Sequence, residues 1–284
     1  MKVSYYPGCS LHGTGLEYAE SAEAVLSNLG TELVELEDWS CCGASSAHSS
    51  GKELAVSMAA RNLMLAKESG LKDLVIPCAA CYQRTRIAEI HLLDEPEKFA
   101  DFPYTGEVAV TDLLTYVSEN IGIESIRKNV KKKLTGLKAV CYYGCVSIRH
   151  PKVTRVKDYE NPNAMETILN ELGVEALPWS YQTDCCGGSL VLSRTDIVHT
   201  LSGKLFEKAL EAGAECIVTG CPLCQGNLDQ RQGEIEKKLK KKYDLPIFYF
   251  TELMGIAMGH DGASGWLKRH FVDPVKLLKE KGIL

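Results

Sequence analysis

Apolar and polar positions along this chain switch between a period of two and a period near 3.6, and the switching repeats. Residues 2–6 (KVSYY) predict a short strand that stops at Pro7-Gly8-Cys9. Residues 15–29 set Leu16, Ala19, Ala22, Val25, Leu26 and Leu29 on one side at helical spacing, and Gly30 closes the helix. TELVEL (31–36) predicts a second strand leading into Cys41-Cys42-Gly43. A helix over 52–68, a strand over 73–76 and a helix from the Cys78-Ala79-Ala80-Cys81 turn to about Leu93 follow. Residues 94–110, with Pro96, Pro103 and Gly106, read as a loop, and helices are expected near 111–120 and 123–134. The run Lys131-Lys132-Lys133 reads as a solvated helix end, where cations suit the helix dipole.

From about Gly136 the plan returns. KAVCYYGC parallels VSYYPGC, and LNELGVEALPW parallels LSNLGTELVEL. QTDCCGG parallels DWSCCGA, and CIVTGCPLC parallels LVIPCAAC, at an offset near 143 residues. Similarity at one offset across several segments points to duplication of a half. A charged helix (about 228–241), a strand PIFYF (246–250) and C-terminal helices complete the chain. Each half alternates strand and helix, which predicts parallel sheets. The expected fold is α/β, with two pseudo-symmetric halves, 1–135 and 136–284. Each is a small, mostly parallel sheet flanked by helices, with its site at the strand carboxyl ends.

Composition narrows the partners. The 284 residues are 45% hydrophobic and 24% charged, as in ordinary globular proteins, and the formal net charge of -5 argues against a nucleic-acid surface. No apolar stretch reaches the ~18 residues of a membrane span. The N-terminus meets Pro7 and Gly8 before any signal-like apolar region forms. A cytoplasmic location is expected, where clustered thiols signal metal or redox chemistry more often than disulfides.

Ten of the 12 cysteines fall on the repeat. Cys9, Cys41, Cys42, Cys78 and Cys81 form one set; Cys145, Cys185, Cys186, Cys221 and Cys224 form the other. The gaps are 31 and 35 residues in the first set and 39 and 34 in the second. A Cys-x-x-Cys turn puts two sulfurs on one side of a helical turn. Adjacent cysteines face one site only if the backbone bends sharply, which Gly43 and Gly187 permit. Following helices aim N–H groups at the thiolates. Soft thiolates suit iron–sulfur clusters, zinc or copper(I), and dithiol redox chemistry is a further alternative. Structural zinc and a cubane cluster each take four ligands, whereas five thiols stand in each half.

The arrangement C-x31-CCG-x35-CAAC, repeated as C-x39-CCG-x34-CPLC, resembles the duplicated cysteine-rich CCG domain, and nearly the whole chain is similar to the B subunit of heterodisulfide reductase. One gap in the second copy is a residue shorter than is usual there. The resemblance implies two noncubane [4Fe–4S] clusters, one on each set of five cysteines. It also implies catalysis: a mixed disulfide of the coenzyme M–coenzyme B type, or a bacterial equivalent, enters between the clusters and is reduced to two thiols. The implied partners are a ferredoxin-like iron–sulfur subunit of type C and a flavin subunit of type A. The CCG domain also occurs in iron–sulfur subunits of glycolate and lactate oxidation, which makes an electron-transfer subunit the alternative. A zinc-stapled interaction protein is a third reading.

Cys141 and Cys216 lie in predicted strands and read as core residues. An anionic substrate needs cationic contacts, for which His12, Arg149 and Arg194 are the candidates, with Arg84, Arg86, His48 and His150 also near the loops. His12 and Arg149 occupy near-equivalent positions after Cys9 and Cys145.

Overall fold

The computed structural model describes residues 1–44 and 46–284. Its frame is two four-stranded sheets, parallel throughout. In the first, β1 (Lys2–Tyr5), β2 (Glu32–Glu35), β3 (Asp73–Ile76) and β4 (Ala109–Asp112) lie in the order β2-β1-β3-β4. In the second, β5 (Lys138–Tyr142), β6 (Glu175–Ala176), β7 (Cys216–Thr219) and β8 (Ile247–Tyr249) repeat that order as β6-β5-β7-β8. The helices α1 (Leu16–Asn28), α2 (Lys52–Glu68) and α3 (Ala79–Asp94) carry the crossovers of the first half. Those of the second are α4 (Ala164–Leu172), α5 (Thr195–Glu211) and α6 (Gln232–Leu239), and α7 (Phe250–Ala257) follows β8. Central strands carry unbroken apolar runs because helices cover both faces: Leu74, Val75 and Ile76 in β3, and Cys216, Ile217 and Val218 in β7, are all buried.

The α/β reading, the duplication and the parallel sheets hold. Three local expectations do not. Residues 109–112 are a fourth strand, paired with β3 from Asp73–Ala109 to Ile76–Asp112, where a loop and a helix start were expected. The helix expected over 123–134 ends at Asn129. The lysine run lies beyond it and binds carbonyls instead of ending a helix. Lys131 and Lys132 donate their backbone N–H to Ala257 O, Lys132 Nζ reaches Ile283 O at 2.7 Å, and Lys133 Nζ donates to Glu171 O.

The halves share one core. A single apolar cluster joins Val3, Tyr18 and Leu113 to Cys141, Val218, Phe250 and Trp266. Tyr18 of α1 stacks on Tyr249 at 4.1 Å, and its hydroxyl donates to Gly220 O at 3.0 Å. Ser21 and Thr251 hydroxyls meet at 2.7 Å, and Arg269 grips Glu20 through both guanidinium nitrogens at 2.8 and 2.7 Å. From the first half, Tyr82 Oη donates to Thr154 O at 2.8 Å and Arg86 Nε to Val153 O at 3.1 Å. Among the described residues no helix is long and apolar enough to cross a membrane.

Candidate metal centres

In both halves the cysteines sit where the strands end. Cys9 follows β1 by way of a short helical turn (Gly8–Leu11), and Cys78 and Cys81 lie between β3 and the first turn of α3. In the second half, Cys145 follows β5, Cys221 caps the turn Pro222–Gln225 after β7, and Cys224 lies within that turn. The Cys-Cys pairs come in on the loops after β2 and β6. Cys81 Sγ donates to Cys42 Sγ at 3.5 Å, and Cys186 Sγ and Cys224 Sγ lie 3.8 Å apart. Cys9 feels the charges of Cys41, Cys78 and Cys42, and Cys145 those of Cys185 and Cys186. Each set of five is therefore one neighbourhood.

Close packing of like groups divides the thiols into donors and acceptors. Cys42 is lowered to about 7, chiefly by a hydrogen bond from Cys81. Cys221 is lowered to about 7 by Cys224, and Cys185 to about 6 by Cys145. Cys81 and Cys224 are pushed well up, first by their hydrogen bonds to Cys42 and Cys186, then by those to Cys78 and Cys221. The second cysteine of each Cys-x-x-Cys thus holds the proton that its neighbours share. Five mutually repelling thiols can all ionise only if cations stand among them, and Arg84 beside Cys42 and Arg149 beside Cys145 and Cys185 are too few. That donor set fits an iron–sulfur cluster in each half. Among the described residues no group of three or more His, Cys, Asp or Glu side chains is arranged to hold a single metal ion.

The backbone makes room for the sulfurs in the same way twice. Gly8 and Gly144 have φ of +70° and +69°, and a Cβ on either would meet Cys81 Sγ at 2.7 Å or Cys224 Sγ at 2.9 Å. Gly43 and Gly187, with φ of +72° and +84°, provide the bend after each Cys-Cys pair; a Cβ there would strike Ala47 or Val198.

Tyrosines that sequence reasoning took only as strand residues complete the symmetry. Tyr6 Oη donates to Ser40 O at 2.8 Å and Tyr142 Oη to Asp184 O at 2.7 Å, each holding the peptide before a Cys-Cys pair. The aligned YYPGC and YYGC segments carry their signal. Asn227, whose Nδ2 approaches Cys186 O at 3.3 Å and Cys186 Sγ at 3.5 Å, has none beyond its place after Cys224.

A cavity of about 270 Å³ opens beside the second set, lined by Cys145, Cys185, Cys186, Cys221 and Cys224. The first half closes it with Ala79, Ala80, Gln83, Arg84, Ala44 and His48. Gln83 Nε2 donates to Val146 O at 3.3 Å across the gap, and Arg84 Nη2 lies 3.3 Å from His48 Nδ1. The Ala79 N–H donates to the Cys221 sulfur, so the first Cys-x-x-Cys turn backs directly onto the second site. No thiol of the first set lines this cavity; Cys9 and Cys41 are exposed instead. A larger cavity of about 440 Å³, beyond Tyr143, carries no cysteine.

Of the candidate anion contacts, the structure brings Arg149, Arg84 and His48 to the second site. His12 lies outside the cavity, paired with Glu35 at 2.8 Å and packed on Trp39. Arg194 is exposed and held by Asp196 through two 2.9 Å bonds. Arg86 is buried against Glu89.

Known proteins agree with this organisation. The profile of the cysteine-rich CCG domain matches residues 3–84 and again residues 139–229. The chain is 33% identical to the 8-methylmenaquinol:fumarate reductase membrane anchor subunit of Wolinella succinogenes, covering 97% of this chain and 99% of that one. It is 24% identical to the B subunit of a ferredoxin/F(420)H(2)-dependent CoB-CoM heterodisulfide reductase of Methanosarcina acetivorans, over 98% and 96% of the two chains. A protein of Archaeoglobus profundus that is itself named as like the B subunit of heterodisulfide reductase is 26% identical over 92% of each chain. The fold matches the crystal structure of a hypothetical protein from Helicobacter pylori with a TM-score of 0.75 at 14% identity, covering 96% of this chain and 52% of that one. With two profile matches that bracket the two cysteine sets, the chain belongs to the CCG cysteine-rich domain family and carries the domain twice.

Proposed function

We propose that this chain is the disulfide-reducing subunit of a heterodisulfide-reductase-type complex. In this reading Cys9, Cys41, Cys42, Cys78 and Cys81 hold one noncubane [4Fe–4S] cluster, and Cys145, Cys185, Cys186, Cys221 and Cys224 the other. The halves divide at 1–135 and 136–284, and the protein works in the cytoplasm. Bound there, an iron–sulfur cluster supplies electrons one at a time. The observation that carries the reading is the cavity in which five thiols of one half face Arg84, His48 and Gln83 of the other.

This chain's own residues prepare that cavity. Arg84 in the cavity wall, and Arg149 near Cys145 and Cys185 outside that wall, offer guanidinium groups to the acidic ends of a mixed disulfide. Gln83 bridges the halves and fixes the width of the gap. Ala79 and Ala80 present no bulk, so a linear S–S group can lie along the first turn of α3. The S–S bond breaks, two electrons arrive from a ferredoxin-like subunit fed by a flavin subunit, two protons are taken up, and two thiols leave. The chain lacks the C-x2-C-x2-C-x3-C run of a ferredoxin, so those electrons come from a partner. None of His12, Arg149 and Arg194 lines the described cavity; Arg149, whose charge acts on Cys145 and Cys185, is the one of the three that this reading retains.

The test is turnover by the anaerobically prepared protein with a low-potential dye as reductant and coenzyme M–coenzyme B disulfide or a bacterial low-molecular-weight disulfide as substrate. Two thiols per disulfide are expected, with KM raised about tenfold in Arg84→Ala if one ion pair is lost. No thiol release from any mixed disulfide, with both clusters present and reducible, contradicts it.

Two observations support a second reading, an electron-transfer subunit without a disulfide substrate. The 33% relative is named a fumarate reductase membrane anchor, and the first cysteine set does not reach the cavity. In that case the same clusters are reduced and reoxidised with no thiol product, and the chain co-purifies with a membrane-associated oxidoreductase. Hydroxy-acid oxidation complexes belong to the same class of reading.

A further inference from the structure

Behind the second cysteine set lies a group of buried ionisable side chains that the reaction above does not use. Glu17, in the first turn of α1, is 4% exposed; Glu252 of α7 and Asp229, beyond Cys224, are fully enclosed. His270 Nε2 meets Glu252 Oε1 at 2.8 Å. Glu252 also accepts the Tyr249 N–H at 2.9 Å, and Asp229 accepts those of Phe271 and Val272 at 2.8 and 3.0 Å. His270 is thus paired with Glu252 alone, and Asp229 and Glu17 act on it only through their charge. Arg269 stands nearby but is committed to Glu20.

The cluster reaches the cysteines through two tyrosines. Tyr249 is fully buried, and its hydroxyl has no hydrogen-bond partner among the described residues. Its ring lies on Tyr18 at 4.1 Å and 3°, and Tyr18 Oη holds the carbonyl of Gly220, the residue before Cys221. Glu17 is the chain neighbour of Tyr18, and its charge acts on Tyr249 together with that of Glu252, which accepts the Tyr249 N–H.

We propose that Glu17 is the redox-linked proton acceptor of the second cysteine site, binding a proton when that site gains an electron and yielding it on reoxidation. The inference rests on the proposed function, since it needs a site that changes charge. Its physical basis is the low dielectric between α1 and α7, where added negative charge at Cys221 and its neighbours is poorly screened. The groups facing Glu17 set its starting point. Burial pushes it up to about 7; Glu252 across from it adds to the rise, while its own backbone, His270 and Arg269 oppose it. His270 is raised to about 9 because Glu252 outweighs the effect of burial, so it stays charged and does not compete for the proton at neutrality. The sign follows. Reduction raises the affinity of Glu17 for a proton, so proton uptake accompanies the electron from about 7 upward. Below that, Glu17 is protonated in both states and no uptake occurs.

The experiment is a potentiometric titration of the anaerobic full-length protein, followed by electron paramagnetic resonance across the neutral pH range, on native protein and on Glu17→Gln and Glu17→Asp. In native protein the potential of one signal falls with rising pH, approaching one proton per electron, and is level at lower pH. Glu17→Gln removes the slope and Glu17→Asp restores it. A level profile in native protein overturns the inference without any variant, and so does a slope that survives Glu17→Gln. A protein without iron overturns the proposed function and this inference together, which separates that failure from the other two.

Discussion

Replacing Cys224 by alanine is expected to abolish disulfide turnover, and Cys81→Ala to do the same, with losses of at least about 100-fold. Each of these thiols is the buried centre of its set. Cys81 touches Cys42 and Cys78, Cys224 touches Cys186 and Cys221, and each fills the space left by a glycine without a Cβ. Removing either leaves its neighbours without the group that organises them. Cleavage of one S–S bond needs two electrons, so the two losses should match if, as proposed, each half holds a cluster that supplies one electron at a time. Thiol release under steady-state conditions measures this. A variant that keeps about half the native rate would mean that the halves act independently.

Tyr18→Ala is expected to cost about 3–5 kcal/mol, the range for deleting a buried aromatic ring. Tyr18 belongs to the first half by sequence but spends its contacts on the second. It stacks on Tyr249, meets Phe250 edge-on at 6.3 Å and donates to Gly220 O. The urea midpoint of the variant should drop with the slope preserved, as for a lost core contact. A cost under about 1 kcal/mol would mean that the halves are held together elsewhere.

Those cross-half contacts explain what could be read in the sequence and what could not. The helix over 52–68 was legible to the residue because its apolar spacing and the glycine before it are local signals. Strand β4 was not. Of Ala109, Val110, Thr111 and Asp112 only Val110 is buried, and the segment becomes a strand because β3 offers a free edge 36 residues earlier in the chain. The lysine run obeyed no helix-end rule because its partners are carbonyls at 171, 257 and 283, far away in sequence. The cysteine sets were legible because ten of the 12 cysteines stand at repeated spacings, and soft metal centres favour thiolate ligands. Tyr6 and Tyr142 were visible as a repeated pair, yet their role depends on loops arriving from β2 and β6. Arg194 illustrates the reverse case: an arginine beside the site in sequence is taken by Asp196, two residues on, while Arg84 reaches the cavity across the half boundary.

The account stands on ten thiols holding two clusters. Metal analysis of anaerobically purified, full-length protein, paired with its electron paramagnetic resonance spectrum, tests that claim most directly. About eight irons per chain with matching sulfide, and two signals that are lost one at a time in Cys81→Ala and Cys224→Ala, are the expected result. Stoichiometric zinc with negligible iron would contradict it.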